Sequence, residues 1–95
     1  LVLIDFYTDW CHWCKVLREK VFPTEKFKAM SKWFVFCEID AEQEPSIASK
    51  YNVNAYPTSV FVDANGTEVH RLEGYVEADG YVAEMEKAKA AAGKS

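Results

Sequence analysis

The sequence predicts an α/β domain with a mixed central β-sheet flanked by α-helices. Three observations carry that expectation. Apolar strand patterns alternate with helix patterns through the first half of the chain, an Asn-Gly turn joins two further strand patterns, and an Ala-, Glu- and Lys-rich segment closes the chain. The order reads strand, helix, strand, helix, strand, strand, helix. Early alternation implies parallel strands joined by right-handed crossovers, and the later hairpin adds an antiparallel edge. Residues 1–95 read as one domain, without repeats or linkers.

Leu1 to Tyr7 is an apolar run broken only by Asp5, the pattern of a strand buried on both faces. Thr8 and Asp9 supply a turn and a cap for a helix over about Cys11 to Val21, with Val16 and Leu17 facing the core and Pro23 ending it. Thr24 to Met30 reads as a short second helix opened by its threonine, with Phe27 and Met30 on one face. Trp33 to Ile39 is a second apolar run, expected as a buried strand that ends at Asp40. A polar connection leads to a helix at about Ser46 to Tyr51, which Asn52 and Asn54 break. Thr58 to Val62 and Glu68 to Leu72 are strands joined through Asp63-Ala64-Asn65-Gly66, where Asn and Gly both tolerate positive φ. Gly74 permits a bend. Ala78 to Ala92 is a closing helix with Tyr81, Val82, Met85 and Ala88 on its buried stripe.

Composition narrows the function classes. At 95 residues, with 49% apolar and 15% aromatic side chains, the chain forms a packed globule rather than a disordered segment. A net charge of −4 with no basic stripe argues against a nucleic-acid partner. No apolar run reaches the roughly 18 residues of a membrane span, and no signal-peptide layout is present. The chain opens at Leu1 inside a strand pattern and without Met, which reads as a fragment or a processed form.

The chemistry concentrates in Trp10-Cys11-His12-Trp13-Cys14-Lys15. Two thiols two residues apart meet only if the backbone turns between them, and the first turn of a helix supplies that turn. Its unpaired N–H groups and positive dipole end favour thiolate at the leading cysteine. Cys11 is therefore the candidate nucleophile, expected to be exposed, and Cys14 its buried resolving partner. Half of a zinc site and two inert buried thiols are the other readings. A four-ligand site usually needs a second Cys/His pair, and Cys37 and His70 each stand alone, so no metal is expected. Cys37 is expected as a small core residue, Arg18, Glu19 and Lys20 as a solvated helix face, and His70 as a surface residue of the hairpin.

The element order, together with Asp5-Phe6-Tyr7, Trp10-Cys11, Cys14-Lys15, Ile39-Asp40, Lys50-Tyr51, Tyr56-Pro57-Thr58, Asn65-Gly66 and Gly74, resembles the thioredoxin superfamily over nearly the whole chain. Asp5 through Cys11 and Val21-Phe22-Pro23 are similar to the C-terminal domain of the bacterial transmembrane thiol–disulfide interchange reductase. The resemblance implies the thioredoxin fold, here without the N-terminal strand and helix of full thioredoxin. His12-Trp13 stands between the cysteines where ordinary thioredoxin has Gly-Pro. A buried lysine of ordinary thioredoxins is replaced at about Phe36 or Cys37.

By that resemblance the chain is a thiol–disulfide oxidoreductase, most simply a reductase of protein disulfides that cycles between a Cys11–Cys14 disulfide and a dithiol without a bound cofactor. Asp5 is then the proton acceptor for Cys14, and Pro57 the cis-proline that faces the disulfide and turns the preceding backbone groups toward an extended substrate. Tyr56 shapes the substrate groove, and Trp10 and Trp13 form an apolar rim for a protein partner. His12, when protonated, stabilises the Cys11 thiolate and makes the disulfide more oxidising. The expected partners are protein disulfides and an upstream protein electron donor, with the domain working as a monomer. Three alternatives stay open: an oxidase or isomerase direction, a binding module with vestigial cysteines, and a metal-handling domain using Cys11, His12 and Cys14. A single catalytic pair suits the cytosol and the periplasm equally.

Overall fold

Apolar β1 (Val2–Tyr7) lies inside the sheet and is covered on both faces. In this computed structural model, which describes residues 1–93, it is followed by α1 (His12–Lys20), α2 (Glu25–Ser31), β2 (Val35–Asp40), α3 (Pro45–Lys50), β3 (Thr58–Val62), β4 (Glu68–Glu73) and α4 (Ala78–Ala92). The strand order is β2-β1-β3-β4. β1 pairs parallel to β2 and antiparallel to β3, and β3 pairs antiparallel to β4, so the sheet is mixed as expected.

Strand alternation then sorts side chains onto two faces. Leu3 of β1 and Phe61 of β3 pack with Leu17, Val21, Phe27, Phe34, Tyr81, Met85 and Ala88, so α1, α2 and α4 cover one face. Ile4 and Phe6 of β1 pack with Val60 and Val62 of β3 and with Ala41, Ala48 and Val53, so α3 covers the other. A Lys26–Asp79 ion pair joins α2 to α4 at the surface.

Local chemistry fixes the boundaries. Thr24 caps α2 by accepting the Phe27 N–H through Oγ1 at 3.2 Å. In the hairpin, Asp63 Oδ1 accepts the N–H groups of Asn65 and Thr67 at 2.9 and 3.0 Å, and Gly66 takes φ 79°. The stripe expected on α4 is found, with Tyr81, Met85 and Ala88 buried and Val82 partly so.

Three expectations need correction. β2 is an edge strand rather than a buried one, with Trp33 and Val35 exposed and Cys37 a free, half-buried thiol rather than a core residue. An apolar run signals a strand without saying how many neighbours it has. The antiparallel edge is β4 alone, because β3 lies inside the sheet and is buried throughout. His70 is half-buried: its Nε2 lies 2.7 Å from Glu84 Oε1 and its ring packs on Phe61, tying β4 to α4.

Candidate active site

The chain leaves the buried end of β1, passes Thr8, Asp9 and Trp10, and enters α1 at Cys11. Cys11 itself is the N-cap, replacing the expected Thr8 and Asp9. Its φ and ψ are −83° and 109°, and its Sγ accepts the Cys14 N–H at 3.1 Å. No acid occupies the first turn of α1, whose positive end lies beside this sulfur. Cys11 and Cys14 form a disulfide with Cα atoms 5.3 Å apart.

Cys11 is not exposed as expected. It is 6% accessible and Cys14 is 3% accessible. The Cys11 sulfur lies over the first helical turn, bonded to Cys14, while the side chains on either side, Trp10, His12 and Trp13, stand out into solvent.

Those side chains are held in place. The Trp10 indole N–H donates to Glu42 Oε2 at 3.0 Å and its ring meets Tyr56 edge-on at 6.0 Å. The His12 ring packs edge-on against Trp13 at 5.1 Å, and Trp13 lies against Tyr75 at 5.2 Å with planes 30° apart. Trp13, Tyr56, Pro57, Gly74 and Tyr75 line a shallow groove of ≈ 280 Å³. The Tyr56–Pro57 bond is cis, as the resemblance implied. Gly74, at φ 90°, donates its N–H to the Pro57 carbonyl at 2.8 Å.

Beneath α1, Asp5 is 1% accessible. Its register partners are Glu38 on β2 and Ser59 on β3, so these three side chains share the face that α1 covers. Ser59 is already engaged, its hydroxyl 2.7 Å from the Tyr81 hydroxyl. Asp5 Oδ1 is buried without a hydrogen-bond partner among the described residues. Burial therefore lifts the Asp5 carboxyl from an ordinary 3.8 to about 7; the Glu38 carboxylate adds to the rise and the Arg18 guanidinium opposes it. Cys14 and Leu17 are the buried residues of α1, which places Cys14 on the helix stripe that faces this side of the sheet.

The structure thus gathers Trp10, Cys11, His12, Trp13, Cys14, Tyr56 and Pro57 at one end of the sheet, with Asp5 below. Sequence reasoning missed Arg18, Glu38, Glu42 and Tyr75. Arg18 stands four residues after Cys14 and Glu38 is an acid within an apolar strand run, both visible in the sequence. Glu42 and Tyr75 reach Trp10 and Trp13 only through tertiary packing. Among the described residues no group of three or more Cys, His, Asp or Glu could hold a metal, and no helix is long and apolar enough to cross a membrane.

The thioredoxin-like domain family model matches residues 1–89. The chain belongs to that family. Over 78 residues it is 36% identical to thioredoxin-1 of Caenorhabditis elegans, covering 81% of this chain and 64% of that protein. The thiol:disulfide interchange protein DsbD of Tatumella citrea is 28% identical over 96 residues, covering 95% of this chain and 17% of that protein. In both cases the chain spans less than two thirds of the relative's length. The C-terminal domain of DsbD from Neisseria meningitidis superposes with a TM-score of 0.75 at 23% identity, covering 92% of this chain and 79% of that one, and shares its fold. The chain is thus a thioredoxin-like domain that carries a Cys-X-X-Cys disulfide at the N-terminus of α1.

Proposed function

We propose that the domain reduces protein disulfides through the Cys11–Cys14 pair. The observation that carries this reading is the disulfide at the N-cap of α1, seated above a sealed carboxyl on the adjoining sheet face. In the dithiol form the Cys11 thiolate attacks one sulfur of a substrate disulfide, forming a mixed disulfide and releasing the first substrate thiolate. Cys14 then attacks the Cys11 sulfur, its thiol proton passing to Asp5. The Cys11–Cys14 bond forms, the mixed disulfide breaks, and the second substrate sulfur leaves as a thiolate that is protonated from solvent. The substrate gains two electrons, the pair loses two, and Asp5 returns its proton to water.

Asp5 suits this task because an acid held near 7 takes and returns protons at neutral pH, which an ordinary carboxylate does poorly. Tyr56, Pro57 and Tyr75 offer one wall of a groove for an extended chain, and Trp10, His12 and Trp13 the rim around the sulfurs. An upstream protein dithiol returns the two electrons to Cys11–Cys14. No cofactor enters the cycle.

The deciding experiment is the reduction potential of the pair by equilibration with dithiothreitol or glutathione, with Cys11→Ser as control. A reductase gives a value on the order of −270 mV. A value of about −120 to −180 mV overturns the reductive direction in favour of an oxidase or isomerase and makes His12 the first residue to replace.

A further inference from the structure

Arg18 was expected to be one of several solvated residues on α1, yet its side chain has specific partners. Its Nε donates to Glu38 Oε1 at 3.3 Å, and its guanidinium lies 4.8 Å from the centroid of the Tyr7 ring. Tyr7 follows Asp5 by two positions on β1 and so stands on the same face. Glu38 is the register partner of Asp5 across β1 and β2. Arg18 follows Cys14 by one helical turn on α1. One cation and one anion therefore meet beside the unpartnered carboxyl, on the side where the sheet ends at β2.

The other side of Asp5 differs. Ser59 on β3 is neutral and bound to Tyr81, whose phenol burial keeps protonated far above neutrality. The groups that face Asp5 are thus Cys14 and Arg18 from α1, Tyr7 from its own strand, Glu38 from β2, and Tyr81 from α4 through Ser59. Of these, Arg18 and Glu38 are the two that form an ion pair.

We propose that Arg18 and Glu38 are positioning residues for the reaction, a charge pair of opposing sign that sets the pH at which Asp5 accepts and releases the Cys14 proton. Arg18 favours the carboxylate, the proton-accepting form. Glu38 favours the acid, and by binding Arg18 it also fixes where that cation sits. Neither touches the sulfurs; both act through Asp5. The pair replaces a single fixed charge with a balance, so removing either member tips Asp5 in a defined direction. This rests on the role given to Asp5 above.

The test is the pH dependence of the single-turnover reduction of a peptide disulfide by the prereduced protein, paired with an NMR titration of the Asp5 carboxyl in the oxidised protein. Arg18→Leu should raise both midpoints by about half a unit or more, and Glu38→Gln should lower them by a similar amount. Arg18→Lys should restore the wild-type midpoint, which a purely structural role would not require. Glu38→Gln keeps shape at an exposed site, so it reads the effect even if Arg18→Leu folds poorly. Midpoints unchanged to within about 0.2 unit in both charge-removing variants overturn the proposal. Asp5→Asn separates the two layers of inference. Loss of its inflection upholds the Asp5 role independently of the pair, and survival of the inflection removes both.

Discussion

The two faces of the sheet are built from the same strands and do different work. On the α3 face β1 presents Ile4 and Phe6 and β3 presents Val60 and Val62, a mainly aliphatic packing with Phe6 as its one fully buried ring and no buried carboxyl. On the α1 and α4 face the same strands present Leu3 and Phe61 toward an aromatic core, and then Asp5 and Ser59. The alternation of a β-strand makes this division possible, since neighbouring residues share a backbone and no environment. Both faces hold the fold together, and only the second also takes in a carboxyl whose ionised form burial disfavours.

Substitutions on each face should expose that difference. The largest expected loss of stability follows Tyr81→Ala, which empties the aromatic face and leaves the Ser59 hydroxyl alone. Denaturant unfolding should show a loss of about 3–5 kcal/mol, and a loss comparable with that on the aliphatic face would weaken the contrast.

Asp5→Asn should act in the opposite direction, by an amount that grows as the pH rises from about 4 to about 7. The Asp5 carboxyl is raised in the folded state, so the folded protein holds this proton more tightly than the unfolded chain. Its contribution to stability is complete below 3.8 and is lost as the pH rises through about 7. At about pH 8.5 the Asn variant should be more stable than wild type by on the order of 3 kcal/mol, and below about pH 4 the two should agree. Unfolding curves at the two pH values check this, and a difference that does not change with pH would show that Asp5 is not ionising against burial.

Val60→Ala, on the aliphatic face, should cost about 1.5–2.5 kcal/mol while leaving the pH dependence of disulfide reduction where it was. A shifted pH midpoint in this variant would mean that the faces are coupled, and the division between packing and chemistry would need redrawing.

Legibility in the sequence follows the same physics. β3, α4 and the hairpin were readable because each carries a local signal: an apolar run flanked by turn residues, a helix-forming composition, and an Asp with an Asn-Gly step. The Cys11–Cys14 pair, the acid in β1 and the X-Pro-Thr step were readable for the same reason. The edge position of β2 was not, because Trp33 to Ile39 is as apolar as β1 and neighbour count belongs to topology. The burial of Cys11 and the Arg18–Glu38 pair both depend on how α1 packs across the sheet; neither is a property of a sequence window.

The segment that delivers Tyr56 and Pro57 is fastened at several points. Arg71 reaches from β4 to the carbonyl oxygens of Tyr51 and Asn52, where α3 ends. Thr58 Oγ1 donates to the Ala55 carbonyl at 2.7 Å, and Gly74 ties the Pro57 carbonyl to the far side of the groove. A chain entering the groove as proposed would therefore meet a wall whose backbone freedom was given up during folding, and association would lose little further entropy on the side of this domain. Selectivity for one partner over another must then come from the partner's own flexibility and fit, since this wall has few alternative shapes with which to accommodate them.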